Sequence, residues 1–249
     1  MSENYDDAFF EYVTATARRS ANRLLPKVLN EIDIRSVLDV GCGLGAWLGV
    51  WRDLGVPEVT GIDGEHVNQA NLLIDTKDFH TRDLNEPFSL GRQFDLVQTL
   101  EVGEHLHTEH APKFVECLVA HGSIVMFSAA PPGQGGHEHI NEQHYDFWRK
   151  LFSAHDYQAY DFVRPGLVDD EEIDPWYRYN TFLYANAEGA ERMTDAIRQT
   201  LVPRETILAD LSPAAYKLRK QVIRLLPPPV MTSLARMKER YVAQRLRRA

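Results

Sequence analysis

One stretch restricts the fold more than any other. VLDVGCGLGAW (37–47) opens as a short apolar run, reaches Asp39, places glycines at 41, 43 and 45, and resumes as a helix carrying Trp47, Leu48 and Trp51. A short apolar run bounded by glycine suits a strand buried on both faces of a parallel sheet. Glycines are needed where a tight turn lets a ligand lie against backbone at the start of a helix. The dinucleotide-binding pattern also uses three glycines here, but spaces its third one later. The stretch therefore predicts a strand–turn–helix unit whose turn binds a ligand, with Cys42 as filler in the loop. Trp47 reads equally as a cover for that ligand or as core.

The rest of the chain repeats the alternation. EVTGID (58–63), DLVQTL (95–100) and SIVMFSAA (123–130) read as strands, with a helix around 109–120. A helix over 142–154, capped by Asn141, places Trp148, Leu151 and Phe152 on one side. YQAYDFV (157–163) and NTFLYAN (180–186) read as a final strand pair. Residues 8–29 carry Phe9, Tyr12, Val13, Leu24, Leu25 and Val28 at helical spacing, as one or two helices interrupted near Pro26. Strands alternating with helices predict an α/β fold with a mostly parallel sheet flanked by helices. After Ala187 the pattern is purely helical. PPP (227–229) divides this tail, and Leu234, Met237 and Tyr241 form a stripe among arginines. The expected organisation is a ligand-binding domain over 1–187 and a basic helical extension over 188–249.

Charge separates the same two parts. Ten cations and one acid from Lys217 onward make that segment +9, which leaves −18 on the rest of a chain of net charge −9. Bulk charge thus argues against nucleic acid as a partner of the body. The tail suits an anionic surface, the acidic body or another chain. A homodimer through the C-terminal helices is expected, with a membrane-surface helix as the alternative. No apolar run is long enough for a transmembrane span, and MSENYDDAFFEYV lacks the pattern of a signal peptide. With only two cysteines, Cys42 and Cys117, a reducing cytoplasm is the simplest reading.

The DxGxGxG spacing of Asp39, Gly41, Gly43 and Gly45 resembles motif I of the class I S-adenosylmethionine-dependent methyltransferases. The resemblance implies a Rossmann-like, seven-stranded sheet with the glycine loop against the amino-acid part of S-adenosylmethionine. It also implies that Asp63, ending GID, accepts the ribose hydroxyls. Asp83 in RDL would face the adenine amino group and Leu84 would pack beside the ring. Thr99 and Leu100 would lie at the strand end beneath the sulfonium.

EVGEHL (101–106) follows that strand. In a helical turn Glu101, Glu104 and His105 share one face, a plausible donor set for Mg²⁺, Mn²⁺ or Zn²⁺. A fourth ligand has to come from elsewhere. GGHEHINEQHYDFW (135–148) follows the next parallel strand, at the same sheet edge. The small-RNA 2′-O-methyltransferases have a similar layout, E-x-x-E-H followed by a histidine before an aromatic helix face, and His144 matches that place. His137, His139 and His144 are candidates for the base that takes a hydroxyl proton, a role worth ~10²–10⁴-fold in rate.

GxGLGAWL, LEVGEHL, FSAAPPGQGGHEHINEQHYDFWRKLF and PWYRYNTFLYAN together resemble bacterial sugar O-methyltransferases, including those that methylate a sugar 1-hydroxyl in polymethylated mannose polysaccharide synthesis. The resemblance implies a saccharide acceptor. Within DDEEIDPWYRY (169–179), Trp176 and Tyr177 would stack on a sugar ring and the acids would bind hydroxyls, or the loop is solvated with its aromatics tucked into core. Another small hydroxylated metabolite, or a non-catalytic cofactor-binding subunit, are the competing readings.

Overall fold

The computed structural model describes residues 7–226 together with 230, 233 and 237. Helix α1 (Asp7–Leu29) leads into β1 (Ser36–Val40), α2 (Ala46–Asp53), β2 (Glu58–Asp63), β3 (Phe79–Thr81) and β4 (Leu96–Leu100). Then come α3 (Ala111–Ala120), β5 (Ile124–Ser128), α4 (Tyr145–Ser153), β6 (Gln158–Tyr160), α5 (Pro175–Asn180) and β7 (Phe182–Ala185). The seven strands form one sheet in the order β3-β2-β1-β4-β5-β7-β6. The first five run parallel, and β7 is antiparallel to both neighbours. The order reverses between β1 and β4, and in open α/β sheets ligands bind at that switch, beyond the carboxyl ends of the strands.

Period-2 alternation splits the strand residues between two buried layers. Val37, Leu96, Ile124, Met126 and Leu183 join Leu24, Leu25 and Val28 of α1 and Leu48 and Trp51 of α2. Leu38, Val97, Val125, Phe127 and Tyr184 join Phe114 and Leu118 of α3 and Trp148 and Phe152 of α4. Phe152 stacks on Tyr184 with ring centres 4.0 Å apart, a contact worth about 1 kcal/mol beyond burial.

Details differ from expectation. Pro26 does not divide α1; it sits in the final turns, and the helix runs through to Leu29. The third strand, Phe79–Thr81, is only three residues long and carries no alternation to read. Helix α4 starts at Tyr145, so Asn141 is not its cap; His144 occupies that position without a side-chain cap bond. Asn141 instead donates to the Gly103 carbonyl at 3.1 Å and accepts from Thr108, which ties two loops together.

The tail is not purely helical either. Helices α6 (Ala187–Glu191) and α7 (Asp195–Arg198) are short. The chain then runs non-helically to α8 (Ala214–Ile223). On the way it lies along the edge strand β6, where Leu201 bridges Tyr160 and the Val202 N–H donates to the Ala159 carbonyl at 2.9 Å. Prolines at 203 and 213 also disfavour continuous helix there. The expected break at 227–229 and the Leu234 and Tyr241 positions lie outside the described residues.

Candidate active site

The turn after β1 is built as the glycine spacing predicts. Gly41, Gly43 and Gly45 all have positive φ, at 82°, 54° and 81°. A side chain at Gly41 would overlap Val102, so the loop lies directly against the segment after β4. At Gly43 an added Cβ would meet nothing within 4 Å, which leaves backbone open to a ligand.

Two acids flank this turn. Asp39 is buried beside Gln98, its register partner on β4. Burial pushes its carboxyl up to about 8, against the side-chain hydrogen bond from Gln98. Asp63, at the end of β2, accepts the Gly43 and Gly64 amides, each at 2.6 Å. It thereby staples the glycine turn to the end of the neighbouring strand. Burial nevertheless raises its pKa. His66 lies 3.4 Å from the same carboxylate.

The other expected cofactor residues occupy the same sheet edge. Asp83 follows β3, is exposed, and accepts both the backbone and side-chain N–H of Asn85 at 3.0 Å. Leu84 is buried. Thr99 and Leu100 finish β4; Thr99 is enclosed and its hydroxyl has no hydrogen-bond partner. Trp47 is core, packed edge-on to Tyr177 with ring centres 4.9 Å apart.

Beyond β4 the chain turns sharply. Glu101 has φ of 58°, and a short 3-10 turn, Gly103–His105, follows it. Residues three and four apart are therefore not stacked on a regular helix face. Glu104 is fully buried, and neither carboxylate oxygen has a hydrogen-bond partner. Burial and the nearby Glu101 carboxylate raise its pKa well above the ordinary carboxylate range. Burial raises Glu101 too, although Gln134, Ser128 and Asn180 side chains counter it. His105 is pushed down to about 3, by burial first and then by the neighbouring His139. It is therefore a neutral imidazole with a lone pair.

Among the loop histidines, His139 is the one brought beside Glu104 and His105. Glu104, His105 and His139 bring one donor atom each within 4.8 Å of one another. The rings of His105 and His139 meet edge-on, 5.0 Å apart. Glu142 holds His139 in place: its carboxylate takes the Gly133 and Gly135 amides at 2.7 Å and His139 Nδ1 at 3.0 Å. With Nδ1 so engaged, Nε2 is the ring atom left for a ligand. His137 is buried and lies close enough to His105 to contribute to its lowered pKa. His144 is exposed at the start of α4 and lies outside this group. Sequence spacing alone pointed to His144. Glu142, three residues after His139 and seven after the second of two glycines at 133 and 135, is the signal that identifies the better-placed ring.

A polar cluster that sequence reading missed lines the same edge. Gln134 donates to Glu101 at 2.5 Å, and Asn180 donates to Glu101 at 3.3 Å and to Gln134 at 2.8 Å. The Tyr145 hydroxyl donates to the Asn180 side chain at 2.8 Å. From the extension, Arg219 donates to the Gln134 carbonyl at 3.1 Å, and the Tyr216 hydroxyl, made less acidic mainly by burial, also feels Glu101.

The acidic loop matches the second of its two readings in its aromatics, which are tucked into core, while its acids are paired rather than solvated. Asp170 pairs with Arg23 at 2.8 Å, Asp174 with Arg19 at 3.2 Å, and the Glu172 carbonyl accepts from Arg19. Tyr177 is buried, and Trp176 packs against the same core. The loop is fastened to α1, and its aromatics complete the hydrophobic layer.

Strand order, the reversed last strand and the glycine turn between two acids define the class I, S-adenosylmethionine-dependent methyltransferase fold. The chain belongs to the methyltransferase domain family, whose model matches residues 9–160. No curated protein sequence matches significantly. Among solved structures, the methyltransferase domain of bacterial CtHen1-C is 18% identical, with 68% of this chain and 98% of that one covered and a TM-score of 0.53. The small RNA methyltransferase HEN1 is also 18% identical at a TM-score of 0.51, over 66% of this chain. The chain spans only 25% of HEN1's length. Magnesium protoporphyrin IX methyltransferase from Synechocystis PCC 6803, with bound S-adenosylmethionine, is 16% identical over 75% of this chain and 87% of that one, at a TM-score of 0.50. At these identities the likeness is one of fold. Among the described residues no helix is long and apolar enough to cross a membrane.

Proposed function

We propose that this methyltransferase transfers its methyl group to a hydroxyl of a saccharide, as its sequence resemblance implies, with the 1-hydroxyl of a methylated mannoside as one such acceptor. The observation that carries the hydroxyl reading is the group of buried Glu104 with half-buried His105 and His139 beside Glu101, at the carboxyl edge of β4 and β5 and against the glycine turn. When bound, S-adenosylmethionine supplies a methyl group on a good leaving group; the C–O bond forms as the S–C bond breaks, and the acceptor proton must leave. The protein's task is to position the oxygen and take that proton.

The residues fit a divalent cation. An enclosed carboxylate without hydrogen-bond partners is costly unless paired or coordinated, and two imidazoles stand beside it. Glu104, His105 and His139 would hold the ion with Glu101 adjacent; a set of two imidazoles and one carboxylate suits Mn²⁺ or Zn²⁺ better than Mg²⁺. Bound there, such an ion would supply Lewis-acid assistance to the hydroxyl. Of the three loop histidines, His137 is the buried one left over as proton acceptor once His139 is a ligand. Gln134, Asn180 and Tyr216 offer amide and phenol groups suited to a polyhydroxylated ring.

Isothermal titration with S-adenosylmethionine, with and without Mn²⁺, followed by an acceptor screen scored for S-adenosylhomocysteine release, tests the reading. Free sugars, methylated oligosaccharides, phenols and RNA form the panel. Turnover on a saccharide, abolished in His139→Ala, is expected. Turnover confined to phenols would sink the saccharide assignment. Cofactor binding without turnover on any class would favour a non-catalytic subunit.

A further inference from the structure

Among the described residues, helix α8 uses only one of its faces in the fold. Tyr216, Lys220 and Ile223 turn inward: Tyr216 packs on Tyr179, Lys220 pairs with Asp210, and Ile223 lies over Gly135. The opposite face carries Leu218 and Val222, and Leu225 follows in the turn after the helix; the three are spaced by four and three residues and are 62%, 54% and 84% exposed. Lys217 and Arg224, both exposed, border this stripe on one side, and Arg219 borders it on the other. The chain beyond Leu226 adds six more Lys or Arg residues against a single acid.

We infer that α8, with its exposed cations Lys217, Arg219 and Arg224, forms a docking element for an anionic phospholipid surface. The combination of groups decides between occupants. The acidic body of a second copy would satisfy the cations but leave the leucines and valine in water. A second copy's stripe would cover the apolar groups but set two segments of charge +9 against each other. A bilayer with anionic headgroups answers both, because apolar side chains enter the headgroup–acyl boundary while flanking Lys and Arg meet phosphate. The helix would lie on the membrane rather than cross it. The body, at −18, is repelled by the same surface, so contact is confined to the tail and weakens with salt. Through Arg219 and Ile223 the docked helix remains in contact with the 133–135 loop of the catalytic edge. This inference does not depend on the acceptor.

Vesicle co-sedimentation of the full chain is the test. Phosphatidylcholine vesicles containing roughly one-third phosphatidylglycerol should carry the protein down at low salt, and pure phosphatidylcholine should not. A Leu218→Ser, Val222→Ser, Leu225→Ser variant should lose partitioning on the order of 100-fold. Lys217→Gln with Arg224→Gln should lose about 25-fold, roughly fivefold per cation. S-adenosylmethionine binding should be unchanged in both variants, which shows that they are folded. Absence of wild-type binding to anionic vesicles overturns the inference, as does full binding by the triple serine variant. A vesicle-free dimer that the same variant dissociates would show that a second copy covers the stripe, and would also overturn it.

Discussion

The most informative single change is Glu104→Gln, because that carboxyl is wholly enclosed, has no hydrogen-bond partner, and faces a second buried acid. Leaving one buried charge uncompensated costs about 3–5 kcal/mol in proteins where it has been measured. Glutamine of nearly the same size removes the charge and the repulsion from Glu101. In metal-free protein at about pH 8, Glu104→Gln should therefore be more stable by about 3 kcal/mol, on the order of 10 °C in Tm for a domain of this size. The pH dependence has a definite sign. Glu104 in the fold has a pKa above its unfolded value of ~4.3, so its contribution is fully present below that pH and is lost as pH rises through the folded value. The wild type should lose stability on that climb, and the variant should be flatter. Divalent metal should reverse the ranking at about 1,000-fold excess over Kd, where it adds about 4.1 kcal/mol to a protein that binds it. Thermal unfolding in EDTA and in Mn²⁺, at about pH 5.5 and about pH 8, measures all of this. A variant less stable than wild type in EDTA at the higher pH would refute the idea that Glu104 is an uncompensated charge.

Three further outcomes are expected. Glu142→Gln frees the Gly133 and Gly135 amides and His139, so Mn²⁺ affinity by titration should fall about 10–100-fold, while cofactor affinity holds; an unchanged metal Kd would remove Glu142 from that role. Gly41→Ala, strained by its φ of 82° and by overlap with Val102, should cost about 1–3 kcal/mol of stability; Gly43→Ala, without overlap, should cost about 1 kcal/mol yet lower S-adenosylmethionine affinity by roughly tenfold or more, and equal affinity would count against ligand contact at Gly43. Arg23→Ala breaks an exposed pair with Asp170 and should change stability by no more than about 1 kcal/mol, with acceptor KM unaltered; a large rise in KM would return the acidic loop to the acceptor site.

The cofactor side was legible in the sequence because its determinants are local. A glycine turn needs positive φ at fixed offsets from a strand end, and Gly41, Gly43 and Gly45 supply it. The strands themselves were readable from their apolar runs, apart from Phe79–Thr81, which is too short to show a pattern. The acceptor side was less legible because its contacts are long-range. Nothing in EVGEHL announces that Glu101 adopts φ of 58° and breaks the helical spacing assumed for it. His139 is brought beside Glu104 and His105 by a loop folded back on Glu142, which distance from the helix does not reveal. The acids at 170 and 174 are matched to Arg23 and Arg19, about 150 residues away in the chain, so their charge alone could not reveal their partner.

The pairing of Leu201 with Tyr160 has a consequence for the chain as a material. Strand β6 closes one side of the sheet, and a bare sheet edge is a template for joining other molecules. Residues 200–202 lie along that edge, with Asp161 donating to the Thr200 carbonyl and Val202 to the Ala159 carbonyl. A chain cut after Ala187 would keep every strand and the glycine turn, yet would present an unguarded margin flanked by newly uncovered apolar surface. Such a fragment should precipitate where the intact chain remains dispersed, so the segment between α7 and α8 serves solubility.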